Sequence, residues 1–499
     1  MNWTDHTVPD TEPAVDVVIG RGPSAFGAIL AMVGAGLRPT VLSPTGPWTG
    51  ATVDPGQSPT SSVQRKTSFG SSEMYRYPES ADLRFDHPNP LPLSAVPGGL
   101  STVWGSNIQV FGPADLHAWG AAAAEMPAAY AEVLRRIPHV GRDDQLSDRF
   151  PWPVPFPGTQ PVSSRLTAAL ARRGNPASGA ALIGVARNAS APLGQGCIAC
   201  GVCLEGCPEG VIFDAAQGIG PLIQANELPV IDGLALRLER VADGVRITWL
   251  DRPTQETRHL TARRVVLAAG SIASTILLQR SGLLPGPAEL DDTQVFYAPL
   301  LSLSRPDPFG TQYSLAQLFA SDRANRSSGA SGDRAFHLSI YESDPSFRER
   351  AAHLVGPVAK VIPRRLFQQM LAAIGFIPSS ASGRIVVETE ANGIAVRTRP
   401  SADSRAYVHA VMKAVRPDLA SVGLRTIRPL TQIPKVGASY HVGHLTCDRT
   451  DVIDPTTGQL NTGDTSIVVV DGAALPALLT GPVTLTMMAN AYRLGSRLV

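Results

Sequence analysis

Four of the chain's five cysteines stand at 197, 200, 203 and 207, so that four thiols fall within eleven residues. A disulfide scaffold spreads its cysteines through a secreted chain. A dense run with short glycine-bearing spacers instead suits ligation of a metal or cluster, with Cys197, Cys200, Cys203 and Cys207 as ligands. A second concentration of chemistry is Gly437-Ala-Ser-Tyr-His441-Val-Gly-His444-Leu-Thr-Cys447. An imidazole titrates near neutral pH, so His441 and His444 are candidates for proton transfer.

A third is Gly20-Arg-Gly22-Pro-Ser24-Ala25, a G-x-G-x-x-A turn. It lies between an apolar run, Val15–Ile19, and an apolar helix expected over Ala25–Gly36, with a short strand at Thr40–Leu42. Strand, glycine turn, helix and strand make a dinucleotide-binding unit. A pyrophosphate there touches backbone N–H groups at a helix N-terminus, where a Cβ would obstruct it. Ser43 stands where such units usually place an acid for the adenosine ribose, so ribose contact at that point stays open.

Three later segments read as parts of the same domain. Pro97-Gly-Gly99-Leu-Ser101-Thr-Val-Trp104-Gly105-Ser-Asn107 is a glycine-rich loop suited to lie against a flat ring. Ala262–Ser274 runs from a strand into the small-residue turn Ala269-Gly270 and a helix bearing Ser274. The stretch before it, Leu234–Leu250, alternates as a hairpin turning at Asp243-Gly244, with Val241 on its first strand. Ser466–Asp471 and Gly472 form a strand with an acidic turn, and Pro482-Val-Thr484 opens a closing helix.

In this order the segments resemble the glucose–methanol–choline (GMC) oxidoreductases over nearly the whole chain. The resemblance implies FAD bound in an extended form, a substrate domain inserted between parts of the flavin domain, and oxidation of an alcohol. It implies flavin contacts at Gly20, Gly22, Ser24, Ala25, Gly99, Ser101, Trp104, Gly105, Asn107, Val241, Ala269, Gly270, Ser274, Asp471, Gly472, Pro482 and Thr484. It also implies that His441 faces the flavin and takes the hydroxyl proton as hydride leaves the carbinol carbon, with His444 as a second candidate. The family commonly has Asn or His before its last proline. This chain has Gly481 before Pro482, so His444, Thr480 or a residue of the inserted domain replaces that partner.

The cysteine run C-x2-C-x2-C-x3-C-P reproduces that of bacterial ferredoxins. It leaves open a [4Fe–4S] cluster on all four thiols, a [3Fe–4S] cluster on three, and a contribution from Cys447. Structural zinc and metal-free thiols are the alternatives. An iron–sulfur cluster would be a one-electron exit for a reduced flavin and would favour a dehydrogenase over an oxidase.

The rest of the chain positions these residues. At 499 residues with net charge +1, it suits two connected domains and carries no footprint for nucleic acid or an anionic membrane. The first residues read as a polar tail without an export signal, which makes the cytoplasm the expected location. Residues 281–436 suit an α+β substrate domain, an antiparallel sheet backed by helices. Strands are expected at Val295–Ala298, Ala335–Tyr341 and Arg384–Thr389, with helices over Leu354–Ile374 and Ser404–Val415. Residues 350–372 read as an amphipathic surface helix, with a membrane-touching helix as the alternative, Arg323–Gly332 as a linker, with a mobile lid loop as the alternative, and Thr67–Tyr77 as a loop near the pocket.

The expected fold is α/β. Residues 14–120, 216–280 and 437–499 build a discontinuous Rossmann-like FAD domain, joined by a connecting segment, 121–195, and a cysteine loop, 196–215. The expected function is oxidation of a secondary alcohol, such as a sugar-like hydroxyl, with an electron-acceptor protein or quinone as partner. The alternatives are an internal redox isomerase or epimerase, and a non-catalytic electron carrier.

Overall fold

A computed structural model describes residues 15–44, 82–86, 91, 93–173, 179–201, 203–205, 207–304, 307, 313–323, 335–342, 363–462 and 465–498. Val15–Ile19 is a continuous apolar run, and a strand of that kind must be covered on both faces. It lies between Thr40–Leu42 and Thr257–Leu267, parallel to both. Ile467–Val469 adds to Thr257–Leu267 in parallel, and Val230–Ile231 extends the other edge. The hairpin Gly233–Val241 and Gly244–Asp251 completes seven strands. Strands more than 200 residues apart in sequence therefore make one sheet, the discontinuous Rossmann-like domain of the expected α/β fold.

The helix Pro23–Gly34 begins two residues earlier than expected, with Pro23 in its first turn, where no intrahelical N–H is needed. It packs against the closing helix Thr484–Gly495. Their approach is set by Gly27, where any Cβ would overlap the Met488 carbonyl. We expect Gly27→Val to separate the two helices and cost at least several kcal/mol, read as a loss of soluble protein or a large fall in Tm. Unchanged thermal unfolding would show that the helices do not pack in this way.

A second sheet has six strands, ordered Leu424–Thr426, Val295–Ser302, Met370–Phe376, His337–Glu342, Ala316–Asp322 and Ala181–Val185, and is antiparallel throughout. Its two faces differ. Leu338, Ile340, Leu318 and Leu300 pack under the helices Ser404–Ala414 and Ser164–Arg173 in a core of their own. His337, Ser339 and Tyr341 alternate with them, and Tyr341 joins the core shared with the seven-stranded sheet. A third sheet, of six strands, carries Ala288–Asp292, Arg384–Glu390, Gly393–Arg399 and Val442–Cys447.

The expected strands at 295, 335 and 384 and the helix at 404 form close to their expected bounds. The helix expected over Leu354–Ile374 does not continue as written. Residues 364–369 are helical, and Met370–Phe376 is instead an interior strand of the second sheet. Apolar residues at Leu371, Ala373 and Phe376 fit either period, and pairing with two neighbouring strands decided it. The rest of the 350–372 stretch, Thr67–Tyr77 and most of Arg323–Gly332 lie outside the described residues. Among the described residues no helix is long and apolar enough to cross a membrane.

Candidate active site

Parallel strands converge at their carboxyl ends on a cleft of about 1240 Å³. Gly20 reaches it with φ +118° and with Ala268 pressed against its α-carbon, so only glycine fits there. Gly22 caps the first helix, and Gly270 caps the helix Ser271–Arg280. A Cβ built on either meets nothing within 4 Å, so both backbones face open space. Two helix N-termini thus aim N–H groups into one cavity, as a pyrophosphate requires.

Asp471 closes the other side. Its Oδ2 accepts from Gly270 N at 2.9 Å and from the Ser274 hydroxyl, and its Oδ1 accepts from Ala473 N at 3.0 Å. Complete burial pushes its pKa up to about 6, against the lowering effect of these bonds. Arg21 lines the cleft with a buried Nε that has no hydrogen-bond partner, and burial lowers its pKa. A cationic group of this kind fits a phosphate.

The cleft gathers Gly20, Gly22, Ser24, Gly99, Ser101, Trp104, Ala269, Gly270, Asp471, Gly472 and Thr484 of the expected contacts. Ser101 holds its loop by donating to the Gly98 carbonyl at 2.6 Å, and Trp104 Nε1 donates to the Phe213 carbonyl at 2.8 Å. The remaining expected contacts lie elsewhere. Ala25 is buried within the first helix. Gly105 and Asn107 turn to the second sheet, where Asn107 Nδ2 donates to the Tyr341 hydroxyl at 2.5 Å. Ser274 acts through Asp471, and Pro482 does not line the cleft.

Val241 pairs with Gly244 at the hairpin turn, whereas Gly233 to Ala235, at the other end of that strand, line the cleft. Six residues of strand, about 20 Å, separate the two ends. Arg21 and Tyr440, not among the expected contacts, also line the cleft. Arg21 was legible as the cation inside the glycine turn. Ser43, where an acid was expected, lines the cleft as well.

His441 follows Tyr440 and is almost completely buried. Three contacts fix it: Thr293 N donates to its carbonyl at 2.9 Å, its Nδ1 lies 2.9 Å from Ser439 Oγ, and its ring meets Phe376 at 5.0 Å. Asp292, fully buried and raised to about 7 by burial, accepts from Gly437 N at 2.8 Å and so anchors the turn that delivers the histidine. Burial lowers the His441 pKa to about 3, which leaves a neutral imidazole over the ordinary pH range.

His444 goes elsewhere. A bulge in Val442–Cys447 puts it at φ +55° and turns its ring between Asp291, 2.9 Å from Nδ1, and Asp451, 3.0 Å from Nε2. These carboxylates outweigh burial and raise its pKa, a structural ion pair apart from His441 and the cleft. Its stabilising effect is present in full below the unfolded value and is lost as pH rises through the raised folded value. We therefore expect His444→Gln to lower Tm more at pH 6 than at pH 9, with flavin content unchanged. A pH-independent difference would contradict the pair.

The four loop cysteines line one small cavity beside Tyr313 and Val211. Cys197 is buried and the others are half-buried, and burial pushes the Cys203 thiol up to about 11. Among the described residues no group of three or more His, Cys, Asp or Glu is arranged to hold a metal ion. The four thiols line one cavity, but no three of them are arranged there as a metal site. Cys447 lies outside that cavity, with its thiol toward the Gly286 carbonyl, so it is not a fifth member.

Residues 89–291 match the GMC oxidoreductase family. No protein of curated function matches the chain. Among solved structures, pyridoxine 4-oxidase from Mesorbium loti superposes with a TM-score of 0.60 at 14% identity, covering 97% of this chain and 99% of that one. Formate oxidase from Aspergillus oryzae RIB40 gives 0.62 at 12% identity, with 98% of each chain covered. A FAD-dependent oxidoreductase from Chaetomium thermophilum gives 0.60 at 13%, covering 97% and 99%. At such identities the likeness to these three is one of fold.

Proposed function

We propose that this chain, an oxidoreductase with a GMC oxidoreductase domain over residues 89–291, oxidises a secondary alcohol to a carbonyl with FAD in the cleft and His441 as the base. The observation that carries this reading is the placement of a neutral, buried His441 beside a cleft faced by two helix N-termini. Bound there, FAD supplies the acceptor for the hydride. The chain does the rest. Gly22 and the first turn of the helix Ser271–Arg280 face the cleft, Arg21 offers a cation, and Ser101 and Asp471 fix the loops. In the tautomer that donates from Nδ1 to Ser439 Oγ, His441 keeps an Nε2 lone pair for the hydroxyl proton. The walls of Phe376 and Tyr440 exclude water from that ring.

Anaerobic mixing of the flavin-loaded protein with pyridoxine, benzyl alcohol, cyclohexanol and methyl β-glucoside tests the reading. Loss of the oxidised-flavin absorbance with at least one alcohol, and carbonyl formed in equal amount, is the expected result. Carbonyl that never accumulates while the alcohol is epimerised would support internal redox chemistry instead.

The finer reading is a dehydrogenase whose cysteine loop assembles an iron–sulfur cluster. Its support is the ferredoxin spacing and the convergence of four thiols on one cavity. Iron and acid-labile sulfide in the anaerobically purified protein test it. Zinc, or neither metal, would leave the hydride step intact and remove the relay.

A further inference from the structure

Gly481 has φ +144°, and a Cβ built there would lie 3.2 Å from Phe111 Cζ and 3.6 Å from both Cβ and Cγ of His337. The volume that a side chain at 481 would enter is therefore bordered by an imidazole from a different element, the interior strand His337–Glu342. His337 shares its aromatic wall with His441: the Phe376 ring lies 5.6 Å from one imidazole and 5.0 Å from the other. The Phe319 ring also meets His337, at 4.5 Å.

The groups hydrogen-bonded to the His337 ring are hydroxyls. Nδ1 lies 2.8 Å from Ser321 Oγ, on the paired residue of the neighbouring strand, and Nε2 lies 3.2 Å from Ser339 Oγ. A histidine serving only as packing, 2% exposed and walled by two phenylalanines, is replaceable by an apolar side chain. Here both nitrogens are instead kept on partners that can each donate or accept. The ring can exchange tautomer without leaving a buried ion, and the longer contact, at Nε2, is the one more readily given up to a ligand.

We propose that His337 is the second polar group of the reaction site, supplied by the substrate-domain sheet in place of a side chain at position 481, and that it hydrogen-bonds the oxygen of the alcohol whose proton His441 receives. The proposal rests on the reading of His441 as the base. Two neutral imidazoles then meet one hydroxyl, one accepting its proton and the other donating to the oxygen as charge develops. The buried pair carries a single positive charge at most, since each charge disfavours the other. Glycine at 481 follows from its φ of +144°, and a Cβ there would crowd Phe111 Cζ while meeting His337 at ordinary contact distance.

The test compares the limiting rate of anaerobic flavin reduction in wild type, His337→Ala and His337→Gln, using the alcohol of the panel above that reduces the wild type fastest. We expect His337→Ala to lower the limiting rate about 10²-fold, as for loss of one donor to a developing oxyanion. Flavin content and the alcohol's dissociation constant should stay within about threefold. His337→Gln, which restores an N–H donor, should recover at least a tenfold share of the loss. A rate within about threefold of wild type in His337→Ala, or a His337→Gln rate no higher than that of His337→Ala, would overturn the proposal and leave His441 as base untouched. If His337→Ala does not fold, the Gln variant and Ser339→Ala carry the same comparison, and the latter should change the rate by less than tenfold. Equal losses of flavin in all variants would assign His337 to the fold and overturn it too. If no alcohol reduces the wild-type flavin, the underlying reading falls, and this proposal with it.

Discussion

His441→Ala reduces its flavin with alcohol about 10²–10⁴-fold more slowly than the wild type, the usual worth of a general base, while flavin content is kept. The split between rate and binding follows from position: His441 lies between the cleft residues Tyr440 and Val442 but does not itself line the cleft. A second expectation concerns pH. Burial holds the folded pKa near 3, so the base is already deprotonated at any ordinary pH. The acid limb of the reduction rate should therefore lie well below the ordinary histidine value near 6.5. The same depression has a thermodynamic side. The unfolded chain takes up a proton below about pH 6.5 that the folded chain refuses until about pH 3, so stability falls as pH drops through that window. His337, also lowered to about 3 by burial, adds in the same direction. His441→Phe should flatten this slope by about one proton. An unchanged slope and an unchanged reduction rate would remove His441 from the chemistry.

Gly20→Val abolishes flavin binding. Position 20 has φ +118°, and its Cβ would overlap the Ala268 carbonyl, so the first turn cannot keep its course against the strand that follows Thr257. The turn carries Arg21 and Gly22 into the cleft. Gly36→Ala is the control. Gly36 also has a positive φ, +82°, but a Cβ there meets nothing within 4 Å and it does not line the cleft. It should cost only about 1–2 kcal/mol and leave flavin content unchanged. Equal flavin content in Gly20→Val and Gly36→Ala, after reconstitution with FAD, would show that the glycine turn does not form the site.

The glycine turns and Asp471 were legible because they express backbone chemistry, which is local. Gly20, Gly22 and Gly270 need open or left-handed backbone wherever the rest of the chain goes. What was not legible depended on pairing across the chain. Val241 and Ala235 lie on the same strand, and only the sheet decides which end meets the cleft. His444 stands three residues after His441, but a bulge against Ala288–Asp292 turns it to the carboxylates. Met370–Phe376 had an apolar pattern compatible with a helix until two strands claimed it. His337 carried no local signal at all, since its meaning arises from Gly481, 144 residues later.

The account rests on a flavin in the cleft, and its most direct test is the stoichiometry of FAD released by heat from the purified protein. We expect one FAD per chain, as isolated or after reconstitution, and its loss in Gly20→Val. Protein that carries no flavin in either preparation, with its fold intact, would contradict the assignment of the cleft and the chemistry built on it.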